Sequence, residues 1–139
     1  MRTSVKDYIP ALEKYVFQGH ELHHIEGSLY RCNNLFVEIH ASKPRTRDYF
    51  FEIRMHPSAD MCLYVCGKEM LVFCLEPEFM RQLPLSKAKS GDYSVFTLIA
   101  EHPLNGEARL IYKKDGKDVN PIDITNWAVP LYEPLTAGA

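Results

Sequence analysis

The spacing of hydrophobic residues changes near residue 29. Before that point Ile9, Leu12 and Val16 recur at helical intervals with Tyr8 and Tyr15 beside them, forming one apolar stripe. Asp7 is placed to cap this helix, and Pro10 falls in its first turn, where the missing N–H costs nothing. Gly19 can end it in a left-handed conformation. From Leu29 the period is two. Leu35, Val37, Ile39 and Ala41 alternate with Phe36, Glu38 and His40. Tyr49, Phe51, Ile53 and Met55 alternate with Phe50, Glu52, Arg54 and His56. Met61, Leu63 and Val65 alternate with Cys62, Tyr64 and Cys66, and a further strand is expected over residues 69–75.

Turn residues between these runs suggest a register. Gly67-Lys68 suits a two-residue hairpin pairing Val65 with Met70, Leu63 with Val72 and Met61 with Cys74. Pro57-Ser58-Ala59 can close the preceding hairpin, pairing Met55 with Met61, Ile53 with Leu63 and Phe51 with Val65. The two registers place the same apolar face on three consecutive strands, an agreement a one-residue slip would destroy. The opposite face still carries Phe36, Phe50, Cys62, Tyr64, Leu71 and Phe73, so the sheet needs cover on both sides. The helix can supply one cover; later segments or a second subunit must supply the other.

Beyond Leu75, Pro77 and two nearby acids predict a short helix over residues 76–83. Residues 86–92 (SKAKSGD) read as an exposed loop, and strands are expected over 93–100 and 108–113. Asn105-Gly106 and Asp115-Gly116 are turn dipeptides, and residues 122–132, with the single Trp127, suit a helical turn over the sheet. The expected fold is α+β, with an N-terminal helix, a mainly antiparallel meander of about five to eight strands and one short inserted helix. The pattern fits a single domain over residues 1–139, with a frayed tail at 135–139.

The 139 residues are 46% hydrophobic and 24% charged, with a net charge of −2 and a pI near 6.3. That balance fits a globular domain and argues against a nucleic-acid surface, which needs clustered Lys and Arg. The one basic run, residues 43–47 (KPRTR), reads as a solvated hairpin tip. No secretory h-region and no membrane-length apolar run are present, so a cytoplasmic protein with Cys32, Cys62, Cys66 and Cys74 as reduced thiols is expected. On one strand Cys62 and Cys66 would stand about 13 Å apart, too far for a disulfide or a shared zinc.

One segment carries a recognisable motif. His20-Glu21-Leu22-His23-His24 resembles the H-E-x-x-H pattern of zincin-type metallopeptidases. The resemblance covers five residues and implies zinc held by His20 and His24, with Glu21 as general base. On a helix the two imidazoles would lie roughly 6 Å apart on one face; in an extended chain they would be about 13 Å apart and could not share a metal.

Three functions follow. The first is a small soluble binding or interaction module without a cofactor, acting through a partly apolar sheet face. Its partner would be a protein or a second copy in a homodimer, and Phe36, Phe50, Tyr64, Leu71 and Phe73 would carry recognition. The second is a zinc-dependent hydrolase at His20, Glu21 and His24. The third is a small-ligand or acid–base site on the face holding Glu38, His40, Glu52 and His56, with Glu52 and His56 as the catalytic candidates. If Ile39 pairs with Ile53, Glu38 meets Arg54 and His40 meets Glu52, which also makes ordinary cross-strand ion pairs.

Overall fold

Two sheets and a helix stack in three layers, each interface sealed by its own set of alternating apolar residues. The computed structural model describes residues 5–42, 48–88, 91–99, 108–114 and 116–132. The basic run at 43–47, the Asn105-Gly106 turn, Asp115 and the tail at 135–139 lie outside these. A 3-10 turn at Val5–Tyr8 leads into helix α1 (Ile9–Tyr15). Pro10 sits in the first turn as expected, but Tyr8 rather than Asp7 occupies the cap position, and no side chain bonds there. Gln18 (φ 55°) and Gly19 (φ 90°) then turn the chain away from the helix.

Strands β1 (His23–Glu26), β2 (Leu29–Cys32), β3 (Leu35–Ser42), β5 (Met61–Cys66), β6 (Leu71–Leu75) and β13 (Ala128–Pro130) form the first sheet, in the order β1-β2-β3-β5-β6-β13. The second contains β4 (Asp48–Ile53), β7 (Leu85–Ala88), β8 (Gly91–Ile99), β9 (Arg109–Ile111) and β12 (Ile122–Asp123). Its path runs β12-β9-β8-β4, with β7 also paired to β8. Helix α2 (Pro77–Arg81) follows β6 as expected, β10 (Lys113–Lys114) and β11 (Lys117–Asp118) make a small hairpin, and a 3-10 turn (Thr125–Trp127) precedes β13. The class is α+β with a mainly antiparallel sheet. Residues 86–92, read as a loop, belong largely to the β7–β8 pairing. No helix among the described residues is long and apolar enough to cross a membrane.

The meander is interrupted in one place. β4 does not pair with β3 or β5; it pairs with β8, Phe51 opposite Phe96 and Ile53 opposite Ser94. β5 instead lies parallel to β3, with Glu38 opposite Cys62, Ile39 opposite Leu63 and His40 opposite Tyr64. Both hairpins proposed around β4, Ile39 with Ile53 and Ile53 with Leu63, are therefore replaced. The cause lies in residues 54–60, which are too long for a tight turn and are fastened to β3. The Phe36 amide donates to Asp60 Oδ2 at 2.9 Å, and the Asp60 amide donates to the Phe36 carbonyl at 2.7 Å. This pair of hydrogen bonds delivers Met61 beside Val37 and sets the parallel register.

The β5–β6 hairpin forms, shifted by two residues, with Val65 opposite Val72 and Leu63 opposite Cys74. A four-residue turn, 67–70, replaces the two-residue one, and the Met70 amide donates to the Gly67 carbonyl at 3.2 Å. A slip of two preserves the faces. Leu63, Val65 and Val72 accordingly face Leu12 and Phe17 on the helix side, with Tyr30, Val37, Ile39 and Leu131. Cys62, Tyr64, Leu71, Phe73 and Leu75 face Tyr49, Phe51, Ile53, Phe96, Leu98 and Leu110 of the second sheet. The cover required for the second face is thus supplied by the chain itself. Burying each large side chain contributes about 1.5–3 kcal/mol.

Two contacts lock the layers together. Tyr49 of the second sheet donates to Glu69 in the β5–β6 turn and accepts the Lys68 amide at 3.0 Å. Tyr8 packs on Gly67, where an added Cβ would overlap its hydroxyl. Gly67→Ala is therefore expected to lower stability by about 1–3 kcal/mol through overpacking. The loss should shrink in a Tyr8→Ala background. Urea unfolding of the four proteins of this cycle measures both terms.

Candidate functional site

The H-E-x-x-H segment is not helical. α1 ends at Tyr15, and the chain is extended again from His23. The Leu22 amide donates to Glu13 Oε2 at 2.7 Å, tying the segment back to the helix. His20 and Glu21 are exposed; His23 lies 3.9 Å from Glu21; His24 bonds the Gly27 carbonyl through Nε2 at 2.9 Å and leans on the Tyr30 ring. The shared helix face required for His20 and His24 is absent because Gln18 and Gly19 adopt left-handed conformations just before it. Among the described residues no three His, Cys, Asp or Glu side chains gather as a metal-binding group.

The aromatic set divides. Tyr64, Leu71 and Phe73 are fully buried between the sheets and form core rather than an accessible face. Phe36 is half-buried on β3. Phe50 points the other way from Phe51, onto the outer face of the second sheet.

There Phe50, Val95, Thr97, Ile99 and Ile111 floor a half-open cavity of about 540 Å³, with Tyr112 beside them and Asp48, Lys113 and Asp118 among its charged lining groups. Only Phe50 of this set was singled out from sequence. The signal for the others was the run from Val95 to Ile99, apolar at both parities except Thr97, which marks a strand sheltered on both faces.

The titratable set also divides. Glu52 points outward and is exposed, whereas Glu38, His40 and His56 converge. Glu38 is only 1% exposed. Its Oε1 lies 2.9 Å from His40 Nε2, and its Oε2 accepts the His56 amide at 3.1 Å. The His40 ring stacks on Tyr64, centroids 5.7 Å apart. His56 accepts the Ser58 amide at Nδ1 (3.1 Å), which makes Nε2 the protonated nitrogen of the neutral ring, 3.3 Å from Glu26 Oε1. Glu38 does not meet Arg54 across a hairpin and His40 does not meet Glu52, because β4 is in the other sheet.

A buried carboxylate that orients a histidine is the supporting half of an acid–base pair. The neighbouring thiol does not complete a nucleophilic site. Burial, then the Glu38 charge, pushes Cys62 up to about 12, so it stays a protonated thiol, 3.6 Å from the Met55 sulfur. Burial also raises Cys74 to about 11, and Cys32 and Cys66 are raised for the same first reason. All four are free thiols.

These raised values set an alkaline limit. Above about pH 9 the unfolded chain loses thiol protons that the folded chain retains, so stability falls as pH rises. The decline should run from about pH 9 toward 12, the folded value of Cys62. Urea midpoints measured across that range should fall less steeply in a Cys62→Ala, Cys74→Ala variant than in the wild type. Compared with known protein families, curated proteins and solved structures, the chain has no significant match in any of the three.

Proposed function

We propose that this protein is a non-enzymatic binding module whose recognition surface is the outer face of the second sheet. The supporting observation is the cavity of about 540 Å³ over Phe50, Val95, Ile99 and Ile111. Its volume lies in the range of ligand pockets, and an apolar floor beside a few charged groups is the usual composition of one. It is half-open, whereas small molecules are normally held with most of their surface enclosed. The groove therefore suits one or two bulky apolar side chains of a protein partner, with the remainder of that partner resting on the charged rim. The sheet face expected from sequence thus moves from the inner to the outer side, and of the five aromatic and aliphatic candidates Phe50 remains. Four free thiols fit a reducing compartment such as the cytoplasm.

Panning a displayed random-peptide library against the wild type tests this reading. Enriched peptides should carry large apolar anchors, and their affinity should fall about tenfold or more with Phe50→Asp or Ile111→Asp, both checked for folding by circular dichroism. Peptides that bind these variants as well as the wild type would remove the groove from recognition. Sedimentation of the same proteins covers the self-partner case: a dimer dissociated by Phe50→Asp would make the partner a second copy.

A further inference from the structure

His56 is tied into the connection after β4 by both its backbone and its ring. Its amide donates to Glu38 Oε2, and its carbonyl accepts the Ala59 amide at 3.1 Å. Ring Nδ1 accepts the Ser58 amide at 3.1 Å, and Nε2 lies 3.3 Å from Oε1 of Glu26, at the end of β1. The two ring nitrogens thus hold different partners in different roles. The Ser58 N–H requires Nδ1 to be bare; the Glu26 carboxylate requires Nε2 to carry hydrogen.

A second proton changes these two bonds in opposite directions. It enters at Nδ1, where it meets the Ser58 N–H, and that bond is lost. Ser58 is exposed, so its amide can turn to water instead. The same proton gives the ring a positive charge and makes the contact to Glu26 a charge-assisted one. Histidine changes charge between about pH 5 and 8. The His56 side chain is 33% exposed, so solvent protons reach it.

Charged groups face this segment from each element around it. Glu26 comes from β1, and from β3 Glu38 holds the His56 amide with one oxygen and His40 with the other. Within the connection, Arg54 lines the same cleft and Asp60 is held by the Phe36 amide. From α2, Arg81 donates to the Pro57 carbonyl at 3.4 Å, with Glu78 beside it and Glu76 just before the helix. The bonds of Asp60 to Phe36 and of the His56 amide to Glu38 use neither ring nitrogen. What the ring alone holds is the tip at Pro57-Ser58, one wall of an open hollow of about 630 Å³ facing α2.

We propose that His56 is a proton-operated latch. Neutral, it clamps the Pro57-Ser58 tip through the Ser58 amide; protonated, it releases that tip and grips Glu26 instead. Acid thereby reshapes the hollow beside α2 while the strand pairing on either side of the connection stays in place. The latch is separate from the outer groove of the second sheet and does not depend on it.

The test is an NMR titration of the full chain from about pH 8 to 5, following the ring nitrogens of His56 and His40 and the backbone amides. At the alkaline end the His56 ring is expected to carry hydrogen on Nε2 alone. As Nδ1 takes its proton, the Ser58 amide should shift with the midpoint of the His56 ring. Its protection from exchange, relative to an unstructured amide at the same pH, should fall about tenfold. The Asp60 amide, bonded to the Phe36 carbonyl, should keep its protection. His56→Asn retains an acceptor two residues before Ser58 but cannot titrate, so protection there should be the same at both ends of the range. Glu26→Gln should move the His56 midpoint, and the Ser58 shift with it, to lower pH. A Ser58 amide that follows the His40 midpoint, or stays unmoved while the His56 ring titrates, overturns the proposal. So does wild-type pH dependence in His56→Asn, or an unchanged midpoint in Glu26→Gln. Should His56→Asn fail to fold, Glu26→Gln decides.

Discussion

The architecture depends on the way Asp60 holds Phe36. Two hydrogen bonds between these residues, 24 positions apart in sequence, bring the start of β5 alongside β3 after the chain has visited the other sheet. Parallel neighbours cannot be joined by a tight turn, so an excursion between them is obligatory. Here the excursion contains β4 and becomes a strand of the second layer. Everything in the inter-sheet core follows: Tyr49, Phe51 and Ile53 arrive opposite Tyr64 and Phe73 only because the chain leaves the first sheet after Ser42 and returns at Met61. Glu38 acts on the same segment, accepting the His56 amide from beneath. The 54–60 connection is therefore pinned at two points to the strand it has to rejoin.

That excursion also explains where sequence reading succeeded and where it failed. Period-two alternation located β3, β4, β5 and β6, and the helix stripe located α1, because each is a local property of the side chains facing one way. The β5–β6 faces survived a wrong turn length, since a shift of two residues leaves parity unchanged. Parity cannot say which sheet a strand joins. Phe51 and Ile53 carry the same alternation whether they lie beside Leu63 or across the sandwich from Tyr64. Adjacent strands usually pair, and that prior misassigned β4. The decisive signal was polar: Asp60 at the end of a long connection, and Glu38 with His40 on a face that is otherwise largely apolar.

The candidate sites follow the same division. Glu38, His40 and His56 were legible as one face because they alternate on consecutive segments, although Glu52 was grouped with them by the misplaced hairpin. The H-E-x-x-H likeness failed as a helix because its local context, Gln18 and Gly19, turns the backbone left-handed just before it. The outer groove was largely hidden. Val95, Ile99 and Ile111 are ordinary strand residues, and their concavity comes from how β4, β8 and β9 lie together.

The helix-side core has one further property. Leu12 near the start of the chain and Leu131 near the end of the described residues belong to the same cluster, and the Leu131 amide closes onto the Met70 carbonyl at 2.8 Å. β13 meanwhile completes the sheet beside β6. On a ribosome the chain emerges in order, so β6 has an unpaired edge and α1 lacks one of its packing partners until β13 and Leu131 leave the exit tunnel. Cooperative closure of this core thus waits for β13, and the nascent chain passes through a period in which the central sheet exposes a hydrogen-bonding edge to whatever is nearby.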